Sequence, residues 1–259
     1  MMADHTSYVT IFLGVVHDWW TNLAHSSLAQ WAGAVATFSA VLVALFKDQF
    51  FHHRRRPILT ASILPKPPDC VITPTHRQAT MSAYWLRLWV QNAGKQRAEQ
   101  VQVFVSRVYK LGVNKKPAQI ENFLPMNLRW SNGRDWNNPE VFAQGISSKP
   151  LGKHCDLCLI SDPANPNHRL KGYEGRCFAE LVLEVYSVGN QHHLPPDEYI
   201  IVLILAAANA DPVTVYVKLN LTGQWSDDLD VMFRDYLSVE IVPRPPGIWA
   251  FIAQDNEQV

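Results

Sequence analysis

Basic residues are missing from the first 46 positions of this 259-residue chain. All 23 lysines and arginines occur from Lys47 onward, and 23 acidic residues balance them, so the formal net charge is zero. A nucleic-acid-binding protein normally carries a basic excess, because it must neutralise backbone phosphates. We therefore expect no nucleic-acid partner.

Recognisable catalytic motifs are also missing. The sequence contains no GxSxG nucleophile elbow, no HExxH zinc pair and no GxxxxGK[ST] phosphate loop. Cysteine is scarce, with only four residues, which indicates reduced thiols or metal ligands rather than a disulfide framework. These absences favour a non-enzymatic protein that needs no cofactor.

The most prominent feature present is an apolar run over residues 28–46. As a helix rising about 1.5 Å per residue, it reaches about 28 Å, close to the hydrocarbon thickness of a bilayer. The pattern predicts a transmembrane helix over 28–46, an N-terminal interfacial segment over 1–27 and a basic juxtamembrane linker over 47–57. Residues 8–23 fit either an interfacial helix or a second span.

Charge asymmetry around this run predicts its orientation. Positive charge collects on the cytoplasmic side of a membrane segment, and here it lies only on the C-terminal flank. We expect a single-pass protein of the inner membrane with its N-terminus outside and its C-terminal domain in the cytoplasm. The bilayer is the expected partner of the predicted membrane-surface residues, namely Trp19, Trp20, Arg54, Arg55 and Arg56.

Small residues recur every fourth position along the apolar run. Ala32, Ala36, Ala40 and Ala44 form a smooth ridge that another helix can approach closely. This ridge suggests homo-oligomers formed through the helix. The alternative is that alanine is simply common in membrane helices.

The rest of the chain has the texture of an all-β domain. Segments rich in Val, Ile, Leu, Tyr and Phe alternate with turn residues, and two packed sheets bury one face of each such strand. We predict an Ig-like antiparallel β-sandwich over 58–242, with an insertion over 112–150 and a Pro-rich flexible tail over 243–259. The predicted strands are 58–64, 84–91, 100–111, 155–160, 178–187, 199–208, 213–221 and 237–242.

Local patterns refine this prediction. In the second strand, Leu86 alternates with Arg87, which predicts one buried and one outward face. A turn follows, where Asn92 and Gly94 readily supply a positive φ. Near the C-terminus, Asp228 and its neighbours precede an apolar stretch and predict an N-capped helix.

The spacing of two cysteines suggests metal binding. Cys155 and Cys158 have the spacing of half a zinc site, which His154, His168 and Cys177 are available to complete. In a regular strand, however, side chains three residues apart point to opposite faces, so packed thiols remain the alternative, with a redox pair a further one. For the doublet at residues 192–193, which precedes two prolines, a solvated turn is the favoured interpretation.

Several segments resemble an uncharacterised family of small bacterial single-span membrane-anchored proteins with a cytoplasmic β-rich domain. They are Leu86 to Gly94, His154-Cys155-Asp156-Leu157 and Gly223-Gln224-Trp225-Ser226-Asp227-Asp228. The resemblance extends over most of the chain and implies no established activity. It suggests Cys155, Asp156, Trp225 and Asp228 as candidate site residues. Cys158 stands where the resemblance leads us to expect glycine, which counts against zinc.

Taken together, the sequence predicts a membrane-anchored cytoplasmic β-sandwich that binds or senses an unknown partner, most simply a protein. One alternative is a membrane-perturbing effector, for example in antiviral defence, whose cytoplasmic domain receives a signal. Another is a metal-dependent enzyme built around Cys155 and Cys158.

Overall fold

The computed structural model describes residues 30–46, 55–74, 82–112, 114, 116–131, 143–165, 170–186 and 191–244. By its internal contacts the chain forms two compact units, Met1–Arg55 and Arg56–Val259.

The first unit contains a helix, α1, over residues 30–46. Its side chains are exposed, and the Thr37 hydroxyl donates a 2.8 Å hydrogen bond back to the Gly33 carbonyl. The helical conformation was predicted correctly, but the membrane span was not. Among the helices that the structure describes, none combines the length and the apolar character needed to cross a bilayer.

The membrane-related predictions change accordingly. The predicted single-pass location in the inner membrane is wrong, because no described helix is a suitable span. The orientation deduced from it loses its basis. Arg55 is exposed, and Arg56 contacts Asp211 at 3.5 Å through two exposed side chains. Ala32, Ala36, Ala40 and Ala44 lie exposed on α1, so helix association stays a prediction. Trp19, Trp20 and Arg54 lie outside the described residues.

The second unit consists of two antiparallel sheets with seven described strands each. Sheet A has the order β1-β3-β9-β10-β11, with β2 also beside β3 and β7 beside β9. Its strands are β1 (Leu59–Ser62), β2 (Cys70–Pro74), β3 (Ser82–Asn92), β7 (Arg129–Trp130), β9 (Gly152–Ser161), β10 (Ala179–Leu181) and β11 (His193–Leu194).

Sheet B has the order β14-β13-β12-β4-β5, with β6 and β8 also beside β4. Its strands are β4 (Ala98–Leu111), β5 (Pro117–Gln119), β6 (Met126–Asn127), β8 (Ala143–Ile146), β12 (Asp197–Ala207), β13 (Ala210–Leu221) and β14 (Leu237–Val242). The predicted insertion thus contributes the short strands β5 to β8. Of the predicted tail, only the first two residues are described.

These sheets confirm the antiparallel β-sandwich prediction, whereas the Ig-like class stays a prediction. All eight predicted strands overlap an observed one, and the bounds of β14 agree at both ends. The predicted strand over 178–187 was too long, since regular pairing ends at Leu181. The predicted N-capped helix is confirmed as α2 (Leu229–Val231), which continues as a π-helical turn over Met232–Tyr236.

Alternation along the strands places the core between the sheets. The buried face of β3 presents Leu86, Leu88 and Val90, each fully inaccessible to solvent. Val103 and Leu203 of sheet B are equally buried in the same cluster. Burying one such aliphatic side chain contributes about 1.5–3 kcal/mol. The opposite face of β3 points away from this core.

The turn after β3 differs from its prediction. Neither Asn92 nor Gly94 has a positive φ, and the turn leads from sheet A into β4 of sheet B. Asn92 is fully buried and bonds to four backbone groups. Gly94 is needed for space, because an added Cβ would lie 2.2 Å from the Arg56 carbonyl oxygen and 2.7 Å from Cα of Pro57.

A second crossing between the sheets occurs at Leu128. The dipeptide before it, β6, pairs with β4 of sheet B, and the dipeptide after it, β7, pairs with β9 of sheet A. Leu128 is fully buried, and its amide donates to the Val103 carbonyl at 2.8 Å. One buried residue therefore connects the two sheets on this side of the sandwich.

Candidate functional site

A β-bulge in β9 decides which of its side chains face the core. The register between β3 and β9 shifts at Leu157, so that two residues of β3 lie opposite three of β9. An extra residue in one strand interrupts the alternation of faces. Cys155 and Cys158 therefore both point inward and are fully buried. The expectation that they point to opposite faces was wrong.

The outer face of sheet A carries two tryptophans and one arginine in a row. Trp85, Arg87 and Trp89 of β3 are each half-buried, as the predicted alternation requires. On β9, Asp156 lies opposite Arg87, and His154 lies opposite Trp89. Cross-strand partners share one face of a sheet. We call these five residues the Trp-Arg surface.

Asp156 is the main acceptor of the Trp-Arg surface. Its Oδ1 accepts hydrogen bonds from Nε of Arg87, at 3.0 Å, and from the Ser131 hydroxyl. Burial raises the pKa of Asp156, and the Ser131 hydrogen bond and the Arg87 charge offset that effect only in part. The guanidinium carbon of Arg87 also lies 5.9 Å from the Trp85 ring centroid, within cation–π range. Arg87 is thus held between a carboxylate and an aromatic ring.

A second polar pair fixes the other end of this surface. Nε2 of His154 lies 2.9 Å from Oδ1 of Asp69, and Oδ2 of Asp69 accepts the Leu64 amide at 2.9 Å. The His154 and Trp89 ring centroids are 4.6 Å apart. Asp69 is only 5% exposed, so its hydrogen bonds form largely out of water. This pair restricts the rotamers of both rings before any ligand binds.

Ser131, His154 and the two aspartates do not form a catalytic relay. In a Ser-His-Asp relay the histidine accepts the serine proton while the aspartate holds the histidine. Here Ser131 donates to Asp156, whereas His154 bonds to a different carboxylate, that of Asp69. These contacts position side chains and activate no nucleophile.

The four candidate residues suggested by the family resemblance do not lie in one place. Trp225 contacts Tyr84 in a tilted arrangement, with ring centroids 5.0 Å apart, and Tyr84 pairs with Ile160. Ile160 is four residues from Asp156, or about 13 Å along the strand. Asp228 accepts hydrogen bonds from two amides as the N-cap of α2. Within the candidate set, only Asp156 belongs to the Trp-Arg surface.

The cysteines are poorly suited to hold zinc. Burial raises the pKa of Cys155, Cys158 and Cys177, and zinc binds the thiolate. The Cys155 thiol donates to the Arg129 carbonyl at 3.3 Å, and the Cys177 thiol donates to the Gln224 carbonyl at 3.0 Å. His168 lies outside the described residues. Packing explains these thiols better than the predicted metal site.

A group that the sequence interpretation missed lies at the hairpin of β10 and β11. One ligand atom each from Glu180, His192 and His193 lie within 4.8 Å of one another. His192 was expected in a solvated turn, but it is only 6% exposed, and burial lowers its pKa. The available signal was the histidine doublet itself. What the sequence did not show is the pairing that places Glu180 opposite His193.

No protein-family model and no curated protein matches the chain, so the family resemblance stays a prediction.

Proposed function

We propose that this protein is a non-enzymatic binding module that recognises a protein partner through the Trp-Arg surface. The observation that carries the proposal is the outward row of Trp85, Arg87 and Trp89 on β3, flanked on β9 by residues that hold it in place. Tryptophan and arginine are the residue types most enriched among the energetically dominant contacts of protein interfaces.

Preorganisation supports this role. Arg87 is held by Asp156, and His154 is held by Asp69. A partner that binds side chains already in place loses less conformational entropy, which for a mobile side chain amounts to about 0.5–1.5 kcal/mol. The row from Trp85 to Trp89 extends about 13 Å along the strand, a length that suits the centre of an interface with several anchoring contacts.

The charges of the surface favour a protein over a nucleic acid. Arg87 faces the carboxylate of Asp156, and His154 faces that of Asp69, so the surface has no basic excess. The whole chain is likewise neutral. Binding to phosphates requires several uncompensated cations. A partner that offers apolar side chains to the two tryptophans fits this surface best.

The two other functions suggested by the sequence are not carried forward. A membrane-perturbing effector requires a spanning helix, and no described helix is suitable. A metal-dependent enzyme around Cys155 and Cys158 requires accessible thiolates, whereas both thiols are fully buried.

The test compares partner capture by four forms of the full-length protein. Wild type, Trp85→Ala, Trp89→Ala and Lys218→Ala are cross-linked in extracts of the source cells, and the captured proteins are identified. Lys218 is the control, because it lies on sheet B and pairs there with Glu198. Near-ultraviolet circular dichroism checks that each variant is folded.

We expect one protein to be captured by wild type and Lys218→Ala, and at least about tenfold less of it by each tryptophan variant, in the range of a binding hot spot. The proposal is overturned if capture does not depend on the two tryptophans. It is equally overturned if glycans or oligonucleotides, offered in parallel, bind in the protein's place.

A further inference from the structure

The strand pairing at the edge of sheet A brings three metal-ligating side chains together. In the antiparallel pair β10–β11, Glu180 lies directly opposite His193. The Leu181 amide donates a 2.9 Å hydrogen bond to the His192 carbonyl, which fixes the backbone at His192. Nε2 of His193 lies 4.0 Å from Oε2 of Glu180. The pairing of β10 with β11 therefore brings Glu180, His192 and His193 close together.

We propose that Glu180, His192 and His193 form a binding site for a divalent transition metal, with zinc as the best-matched ion. Two imidazoles and one carboxylate make a nitrogen- and oxygen-rich set that suits zinc, and three protein ligands leave one position open for an external ligand. The proposal is independent of the partner-binding role of the Trp-Arg surface.

The distances are compatible with closure around an ion. The three ligand atoms lie within 4.8 Å of one another. Around a tetrahedral zinc with bonds of about 2.0–2.1 Å, ligand atoms are about 3.3 Å apart. The His193 and Glu180 side chains are 19% and 16% exposed, and closure requires rotation about their side-chain torsions.

An independent observation comes from His192. This residue is more than nine-tenths buried, and its Nδ1 has no hydrogen-bond partner. Buried polar atoms without partners are rare, because each one costs about 1–3 kcal/mol in lost solvation. A metal bound at Nδ1 would supply the missing partner and so remove this cost.

Aromatic neighbours restrain the ligands. The His192 ring lies 4.6 Å from the Tyr186 ring and 4.0 Å from the His193 ring, and His193 in turn lies 5.1 Å from Phe178 in an edge-to-face contact. The Tyr186 side chain also hydrogen-bonds to Glu180. Hydrogen bonds to metal ligands orient them, and their loss commonly lowers metal affinity 10- to 100-fold.

Calorimetric titration of the full-length protein tests the proposal. After treatment with a chelator, the protein is titrated with zinc chloride, and magnesium chloride serves as a hard-cation comparison. The variants are Glu180→Gln, His192→Gln and His193→Gln, which keep much of each side chain's volume. Glu184→Gln is the control, since it removes a nearby carboxylate.

We expect wild type and the Glu184→Gln control to bind one zinc ion, with affinity at least about 100-fold weaker in His192→Gln and His193→Gln. Cobalt substitution should give the visible absorption of a four-coordinate site in wild type and in the control, but not in His192→Gln or His193→Gln. Thermal melting of the metal-free variants separates loss of binding from loss of folding. The proposal is overturned if wild type binds no zinc at one equivalent, or if folded His192→Gln and His193→Gln bind it as wild type does.

Discussion

Replacing Asn92 should lower the free energy of unfolding of the sandwich by a large amount for such a small side chain. Its Oδ1 accepts the amides of Ile58, at 3.0 Å, and Gly94, at 2.9 Å. Its Nδ2 donates to the carbonyls of Gln96, at 2.6 Å, and Ile146, at 3.3 Å. These four groups belong to segments next to both sheets, so a single side chain joins the sheets where the chain passes between them.

The expected loss follows from counting these groups. Asn92→Ala leaves four backbone groups without their partner at a site that solvent does not reach. At about 1 kcal/mol for each, the low end for a lost partner, the free energy of unfolding should fall by about 4 kcal/mol. That is a large part of the 5–15 kcal/mol typical of a folded domain.

Urea denaturation followed by tryptophan fluorescence and far-ultraviolet circular dichroism measures this loss. Gln91→Ala is the matched control, because Gln91 makes one exposed hydrogen bond, to the Pro150 carbonyl at 3.1 Å, and should cost less than about 1 kcal/mol.

Asn92→Asp separates hydrogen bonding from packing. It keeps the volume but removes both donors and places a carboxylate near two carbonyl oxygens, so it should also destabilise strongly at neutral pH. A loss below about 1 kcal/mol in Asn92→Ala, together with wild-type stability in Asn92→Asp, would refute the reasoning.

Three further predictions concern space, charge and thiols. Gly94→Ala should lower the free energy of unfolding by about 3 kcal/mol through the backbone clash. Gly112→Ala should be tolerated, because its added Cβ lies 3.7 Å from the nearest atom. Equal urea midpoints for the two variants would contradict this prediction. Because the pKa of Asp156 is raised in the folded state, the folded protein binds its proton more readily, and wild type should gain stability relative to Asp156→Asn as the pH falls from neutrality through that pKa. If the urea midpoints of wild type and Asp156→Asn change in parallel with pH, the pKa of Asp156 is not raised. All four cysteines are buried, so none should react quickly with Ellman's reagent before unfolding, and rapid labelling of any native thiol would contradict the described packing.

The strands were predictable because alternation has a direct physical cause. A strand that borders one core must bury every second side chain, so Leu86, Leu88 and Val90 indicated both the strand and its inner face. The bounds of β14 could be predicted for the same reason. By contrast, strands of two or three residues, such as β6 and β11, form only because another strand lies beside them. No local sequence pattern predicts them.

The candidate site was harder to predict, since it depends on pairing. The row on β3 followed from alternation, but its partners on β9 depend on the bulge at Leu157. That extra residue turned Cys158 toward the core and left the predicted metal site without accessible ligands. Likewise, residues 92–95 have the composition of a tight hairpin turn, yet the chain there passes from one sheet to the other, a choice made by the whole sandwich.

The apolar run shows the limit of composition in another way. Hydrophobicity over residues 28–46 correctly indicated a helix, but the described helix covers only residues 30–46. A transmembrane helix needs both length and apolar character, and no described helix combines the two.

The crossing at Leu128 affects how readily copies of this protein can aggregate through their strand edges. Open strand edges invite neighbouring chains to add their own strands, which is a common beginning of fibrous aggregates. Where β6 and β7 lie against β4 and β9, the backbone amides already have partners within the same chain. That side of the sandwich is therefore protected against edge-to-edge association. A charge or a proline added to prevent such association belongs on the outer edges of β14 and β1.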